Sequence, residues 1–410
     1  MAMMIRLILL ACFLKILLPS PLHAQTAQEI LSKAYSSCQS IKSGSYSMTV
    51  RKKFMTIKDT SISTISCTFQ KSPHDTISPL VFHSTETHSE GYTIGILYTG
   101  KEFVRIFPHD STAELMPTSK WAHKIPSIIQ NFFFFRPLTD NESAPLQHDA
   151  DSADNHYSFI FIGKETTHEM PCYHVKVLEY PEPDAGNPIN VFRVEYQYWI
   201  RTDTYLPIRY TISHDVVINN DTMHQHEDVM LNTSAFNSPI DTTLLTLNSI
   251  ATNYRMRDFV PTKAPPLLPN DTLAPDWTLS SVSGTPLKLR DYSGKLVLLD
   301  FFYRSCAPCM LAIPGLQALH TKYYTQGLRV IGINPIDKND AELRSFLTKS
   351  DAHYPIALDG ADVAKAYHVS SYPTLYLIDS KGTIIYSQVG FSKDHEAVLE
   401  KIIVKNLGGK

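Results

Sequence analysis

The stretch Leu296-Val297-Leu298-Leu299-Asp300-Phe301-Phe302-Tyr303, running on through Arg304-Ser305 into Cys306-Ala307-Pro308-Cys309, decides the fold of the C-terminal part of this chain. From Leu296 to Tyr303 only Asp300 is charged, as expected of a strand buried on both faces. The residues after Cys306 turn helical, and two cysteines three positions apart at a helix start lie on nearly the same face. A short disulfide can open and close there with little backbone movement. At the helix N-terminus the unpaired amides and the macrodipole favour the thiolate, which makes Cys306 the expected nucleophile, with Arg304 adding in the same direction. Cys309, one turn deeper, suits the resolving role: Cys306 attacks a substrate disulfide, and Cys309 displaces the product thiol from the mixed disulfide. The alternatives are a zinc half-site and a static bridge. Zinc needs two further ligands, and the domain offers only scattered His320, His353, His368 and His395. A bridge across one helical turn closes a tiny loop and contributes little.

Two features near the pair extend the reading. Asp300, in the middle of the apolar strand, is costly to bury as a charge, so its pKa is expected to rise; it is then placed to take a proton from Cys309 through water and to return it. Tyr372-Pro373-Thr374 precedes a predicted strand, and a cis Pro373 in a tight turn would leave neighbouring backbone free to pair with an extended substrate. Tyr372 and Pro308 are the expected substrate contacts. The pair needs no cofactor, because the sulfurs themselves carry the electrons.

Working outward, strand and helix patterns alternate: a strand over Leu328 to Asn334, a helix over Asp340 to Ser350, a strand over Pro355 to Leu358, a helix over Ala361 to Tyr367, strands over Thr374 to Asp379 and Thr383 to Val389, and a closing helix over Lys393 to Asn406. This order calls for an α/β unit, a mixed sheet covered by helices, over residues 270–410. Upstream, the closely spaced prolines of 261–269 read as an extended linker. Residues 25–260 read as an α+β unit, mainly antiparallel, with a leading helix over Ala27 to Gln39. Its strands fall at Ser45 to Val50, Ile62 to Phe69, Tyr92 to Tyr98, His156 to Ile162, Tyr173 to Leu178, Val191 to Trp199 and Ile208 to His214.

Arg6, the apolar stretch from Leu7 to Leu18 and the Leu22-His23-Ala24 site read as a secretory signal over residues 1–24. Leu9-Leu10-Ala11-Cys12 also resembles a lipoprotein cleavage box, so a tether at the N-terminus is the minor alternative to a free periplasmic protein. Export makes disulfides persistent, yet Cys38, Cys67 and Cys172 allow three pairings or three buried thiols. A net charge of -3 over 410 residues gives no reason to expect nucleic acid as a partner. His224-Gln225-His226 with Glu227 places two histidines on one strand face, where a metal or plain solvation both account for them. Ile125 to Leu138, with Phe132 to Phe135 in succession, reads as a buried core element rather than an exposed partner or membrane surface.

Residues from about 270 to 407 resemble the thioredoxin-like family, in particular the exported TlpA/ResA-type disulfide reductases. The resemblance is carried by Leu273-Ala-Pro-Asp-Trp277, by Leu299-Asp300-Phe301-Phe302 leading to Cys306-Ala-Pro-Cys309, by Pro314, by the Leu358-Asp359 to Tyr367-His368-Val369 insert, and by Tyr372-Pro373-Thr374. It implies the nucleophile, resolving and cis-proline roles for Cys306, Cys309 and Pro373, and it puts Asp300 in the place of thioredoxin's buried aspartate. Ser305 stands where the family usually carries tryptophan, and Ala312 where many members carry glutamate, two departures that bear on substrate range and redox potential. The leading helix and strands, with Tyr198-Trp199-Ile200 and Leu206-Pro207-Ile208-Arg209-Tyr210, are similar to a LolA-like half-barrel, which implies a hydrophobic ligand. The expected function is a disulfide oxidoreductase, a reductase of exported client proteins served by a membrane or periplasmic electron donor, with the N-terminal part docking clients. The alternative is a carrier of a hydrophobic ligand or lipoprotein, with the thioredoxin-like part as docking module.

Overall fold

The structure is a computed structural model and describes residues 25–410 except 55–59, 131–134, 139–155, 183–189, 219–220, 262–263, 340, 391 and 409–410. The signal read over residues 1–24, and Phe132 to Phe134, lie outside the described residues. Helix α1 (Ala27–Ser40) starts at Thr26, where hydroxyl and carboxylate cap reciprocally: the Glu29 amide donates to Thr26 Oγ1, and the Thr26 amide donates to Glu29 Oε2. Its Ile30, Leu31, Ala34 and Cys38 recur at helical spacing and are buried.

What α1 packs against is one long sheet. Its strands are β1 (Ser43–Lys53), β2 (Ser61–Lys71), β3 (Leu80–His88), β4 (Thr93–Tyr98), β5 (Glu102–Phe107), β6 (Thr112–Pro117), β7 (Tyr157–Thr167), β8 (Met170–Glu179), β9 (Asn190–Arg201), β10 (Pro207–Ile218), β11 (Asp221–Phe236) and β12 (Arg255–Asp258). The twelve strands run in the order β12-β6-β5-β4-β3-β2-β1-β11-β10-β9-β8-β7; β12 pairs in parallel with β6, and every other pair is antiparallel. Short helices α2 (Thr118–Trp121) and α3 (Ile125–Gln130) follow β6, and α4 (Leu247–Ala251) follows β11. Alternation drives one face inward: Tyr46, Met48 and Val50 of β1 join α1, Phe69, Phe82, Phe135, Tyr210 and Val229 in one core. The opposite face of β4 to β6 is closed by Ile250 of α4.

Sequence reading did not delimit β3, β5, β6, β11 and β12; of these, β3 and β11 are dense in Ser, Thr, His, Glu and Asp. Such residues mimic loops unless the pairing partners are known.

The C-terminal part opens with the hairpin β13 (Thr278–Ser280) and β14 (Pro286–Lys288). It continues as β15 (Leu296–Phe301), α5 (Ala307–Tyr323), β16 (Leu328–Ile333), α6 (Ala341–Lys349), β17 (Ile356–Ala357), α7 (Ala361–Ala366), β18 (Thr374–Ile378), β19 (Ile384–Val389) and α8 (Lys393–Leu407). The sheet order is β17-β16-β15-β18-β19, with β15, β16 and β17 parallel and β18 and β19 antiparallel to their neighbours. Both faces of β15 are buried, as its unbroken apolar run requires. Leu296, Leu298 and Phe302 pack with α5, α6 and α8, whereas Val297, Leu299 and Phe301 pack with α7 and Trp277.

Residues 264–269 of the proline segment have no regular secondary structure and are docked. Leu267 and Leu268 pack on the α7 face, the Leu268 amide donates to Tyr376 Oη at 3.0 Å, and the His368 ring meets the Pro266 carbonyl at 2.9 Å. The long sheet also meets the C-terminal part, through α5. The end of β10 approaches α5, and Val216 and Ile218 belong to the α5 core rather than to the α1 core.

Candidate active site

Cys306 and Cys309 are joined as a disulfide with an S–S distance of 1.99 Å. Cys306 is the N-cap of α5, and its sulfur accepts from the Cys309 amide at 3.2 Å. The amide end of the helix is therefore already aimed at the first sulfur, where negative charge develops when the bond opens. Pro308 falls in the first turn, where a missing N–H costs nothing, and it is exposed. Cys309 is fully buried and Cys306 is 4% exposed.

Arg304, read from the sequence as favouring the Cys306 thiolate, is paired with carboxylates. Its guanidinium is taken by two carboxylates, Asp337 Oδ1 at 3.2 Å and Glu342 Oε2 at 3.1 Å, and its amide donates to Asp337 Oδ2 at 2.7 Å. Asp337 in turn accepts from Asn334 Nδ2 at 2.8 Å. The result is a brace between the turn before Cys306 and the end of β16, with the positive charge neutralised locally.

Asp300 lies on the face of β15 that carries Leu298 and Phe302, and these pack in one cluster with Cys306, Cys309, Met310 and Tyr354. It is 1% exposed. Its Oδ2 accepts from Tyr354 Oη at 3.1 Å, and its Oδ1 has no hydrogen-bond partner among the described residues. Burial pushes the carboxyl up to about 7, against a smaller downward pull from the Tyr354 hydroxyl. The space is shaped by Gly332, paired with Asp300 across the parallel ladder: a Cβ there would sit 2.5 Å from Ile356 Cδ1 and 2.7 Å from Phe302 Cε1. Sequence reading missed Tyr354 and Gly332. Tyr354 is 54 positions from its partner and carries no motif. A glycine inside a strand does signal close approach, although not of what.

The Tyr372–Pro373 peptide is cis, as expected, and Pro373 is buried. Its carbonyl already accepts from the Gly390 amide at 2.8 Å. Tyr372 and Tyr303 meet edge to face with centroids 5.3 Å apart, and both pack against the cysteine cluster. The aromatic surface removed at Ser305 is thus supplied from Tyr303 and Tyr372. Beside Tyr372 opens a cleft of about 340 Å³ whose lining includes Pro265, Ile336, Ala364, His368 and Val369.

The other sequence candidates are not brought to this site. Cys38, Cys67 and Cys172 are free and buried. Burial pushes the thiols of Cys38 and Cys67 up to about 12 and raises that of Cys172, which removes them from thiolate chemistry. His224 is paired with Asp215 and His226 with Ser213 across β10 and β11, while Glu227 faces Lys52 and Arg136. Among the described residues no group of three or more His, Cys, Asp or Glu side chains is arranged to hold a metal ion. No described helix is long and apolar enough to cross a membrane.

Comparison with known proteins falls on this C-terminal part. Residues 271–387 match the model of the AhpC/TSA family. The thioredoxin-like protein YneN of Bacillus subtilis (strain 168) is 37% identical over 119 residues, 28% of this chain and 69% of that relative. The thiol-disulfide oxidoreductase ResA of Bacillus anthracis is 30% identical over 132 residues, 32% of this chain and 76% of the relative. Among solved structures, a putative thiol:disulfide interchange protein DsbE from Chlorobium tepidum is 30% identical, covering 34% of this chain and 99% of that one with a TM-score of 0.33. With the helix-capped disulfide of α5 and the mixed sheet around it, the sequence relatives identify the chain as a member of the thioredoxin-like thiol-disulfide oxidoreductases of the ResA type.

Proposed function

We propose that the protein reduces or exchanges disulfides in exported client proteins through Cys306 and Cys309, and that the N-terminal sheet takes part in receiving the client. The observation that carries this reading is the capped disulfide of α5 together with Asp300, a buried carboxyl raised to about 7, on the strand face whose Leu298 and Phe302 pack in the cysteine cluster. In the reduced protein the Cys306 thiolate attacks a client disulfide, forming a mixed disulfide and releasing one client thiolate. Cys309 passes its proton to the Asp300 carboxylate and attacks Cys306 Sγ, expelling the second client thiolate. Two electrons leave the dithiol, the client gains two thiols, and a dithiol donor at the membrane or in the periplasm restores the pair.

Pro308, Tyr372 and the turn at Pro373 form the client rim in this reading. Because the Pro373 carbonyl is engaged by Gly390, an extended client pairs on the Tyr372 side, towards the apolar cleft at Ile336, itself 59% exposed. Within the N-terminal sheet the packing of α1 into the apolar core supports a docking role over that of a hydrophobic-ligand carrier. The test is direct. Cys306→Ser should abolish insulin reduction by the exported protein, whereas Cys309→Ser should accumulate mixed disulfides with clients that resolve on added thiol. Full activity in the double-serine variant would overturn the reading.

A further inference from the structure

The helix that carries the redox pair packs against the end of a strand of the long sheet. Val191, Val216 and Met223 stand side by side across β9, β10 and β11, Val191 paired with Val216 and Val216 with Met223. Val216 and Ile218 are 4% and 1% exposed. They belong to the buried apolar cluster that also holds Cys306, Cys309 and Met310, β10 approaches α5, and Val191 and Met223 pack against the same cluster. Tyr303, Ala307 and Tyr372, the apolar rim of the disulfide, pack against that same cluster.

Local structure explains how the strands reach it. Asp215 pairs with Arg193 while Val216 pairs with Val191, so Phe192 is an extra residue on β9. Such a bulge bends a strand and re-aims the side chains beyond it. Just before the bend, buried Asp215 accepts from Arg193 Nε at 2.6 Å and meets His224 Nδ1 at 2.5 Å, tying β9, β10 and β11 together. Val191 packs against both cores, so the strand end is continuous with the N-terminal sheet.

A thiolate attacks a disulfide only at bonding distance, and a polypeptide must bring its sulfur to Cys306, which is 4% exposed and lies in the cluster that β10 joins. We propose that the end of β10, through Val216 and Ile218, is a built-in substitute client that covers the Cys306–Cys309 pair, and that a true client gains the site by displacing it. Client affinity is then scaled by the fraction of molecules in which the strand end has lifted. Clients with an apolar residue flanking the disulfide compete best, because they replace the contacts that Val216 and Ile218 give up. The proposal rests on the reading that Cys306 receives client disulfides.

The test compares the full exported chain with Ile218→Asp and with the milder pair Val216→Ala and Ile218→Ala, after circular dichroism has shown which variants fold. Reduced proteins are treated with iodoacetamide, Cys306 modification is timed by mass, and reduction of insulin is set against reduction of hydroxyethyl disulfide. Uncovering should speed Cys306 alkylation and insulin reduction by about tenfold in the aspartate variant and less in the alanine pair, with a smaller gain for the small disulfide. If Ile218→Asp does not fold, the alanine pair decides, and alkylation at the unaltered rate in a folded variant overturns the cover. Faster alkylation without insulin reduction in any form keeps the cover and removes the client reading. Unchanged alkylation with insulin reduced equally by all forms does the reverse.

Discussion

At the residue scale the chemistry turns on a carboxyl held away from water. Asp300 ionises near 3.8 when unperturbed and near 7 in the fold, because burial disfavours its charged form. Below the unperturbed value both folded and unfolded chains hold the proton, and nothing is lost. As pH rises the unfolded chain ionises first, so stability falls and the loss is complete above about 7, on the order of 4 kcal/mol. Asp300→Asn removes this dependence. Its stability relative to the unaltered protein, read by urea unfolding, should improve by several kcal/mol from about pH 4 to about pH 8, whatever constant offset the buried amide brings. The same variant should slow resolution of the mixed disulfide on the order of a hundredfold, since the proton of Cys309 loses its acceptor. A parallel pair of pH–stability curves would show that Asp300 titrates normally and would end its proposed role.

At the scale of elements, the site is assembled from segments that meet only through the sheet. β15 delivers Asp300, α5 delivers the cysteines, and the loop before β17 delivers Tyr354. The Tyr354 hydroxyl donates to the carboxylate and so favours the ionised form, opposing burial. Tyr354→Phe keeps the ring in its buried position and removes only that bond. The inflection in the pH profile of client reduction should therefore move upward, by up to about one unit, with far-UV dichroism unchanged. An inflection that stays in place would assign Tyr354 to packing alone. Elements were also where sequence reading was uneven. β15 and α5 were plain from an apolar run and a Cys-Ala-Pro-Cys turn. β11, with His224, Gln225, His226, Glu227 and Asp228 in succession, becomes a strand because β1 and β10 pair with it on both sides.

For the whole molecule, the join between the two sheets bears on how the redox pair is used. The end of β10 shares a buried cluster with α5 and the cysteines it carries, and the proposed cover couples opening and closing of the pair to that contact between distant parts of the chain. The proposed reductase role makes a thermodynamic claim about the intact protein. Equilibrated in graded thiol buffers and trapped by alkylation, the Cys306–Cys309 pair should titrate at or below about -250 mV, as a client-reducing pair must. A value above about -150 mV would make the protein an oxidant or isomerase instead.

The local pattern alone determined the chemistry-bearing core. A buried strand, a helix start with two cysteines one turn apart, and a proline before the next strand are short-range features, each legible within a few residues because propensity and spacing act locally. Asp300 was legible too, as a single charge in an apolar run. The partners of Arg304 were not legible, since nothing beside it in the sequence announces Asp337 and Glu342, and only the meeting of the loop after β16 and α6 with the turn before α5 brings those carboxylates to its charge. Tyr354, Gly332 and the strand end at Val216 and Ile218 were likewise invisible, because their meaning lies in contacts across tens to hundreds of residues. Alternation says that a valine faces a core, and the tertiary structure decides which core that is.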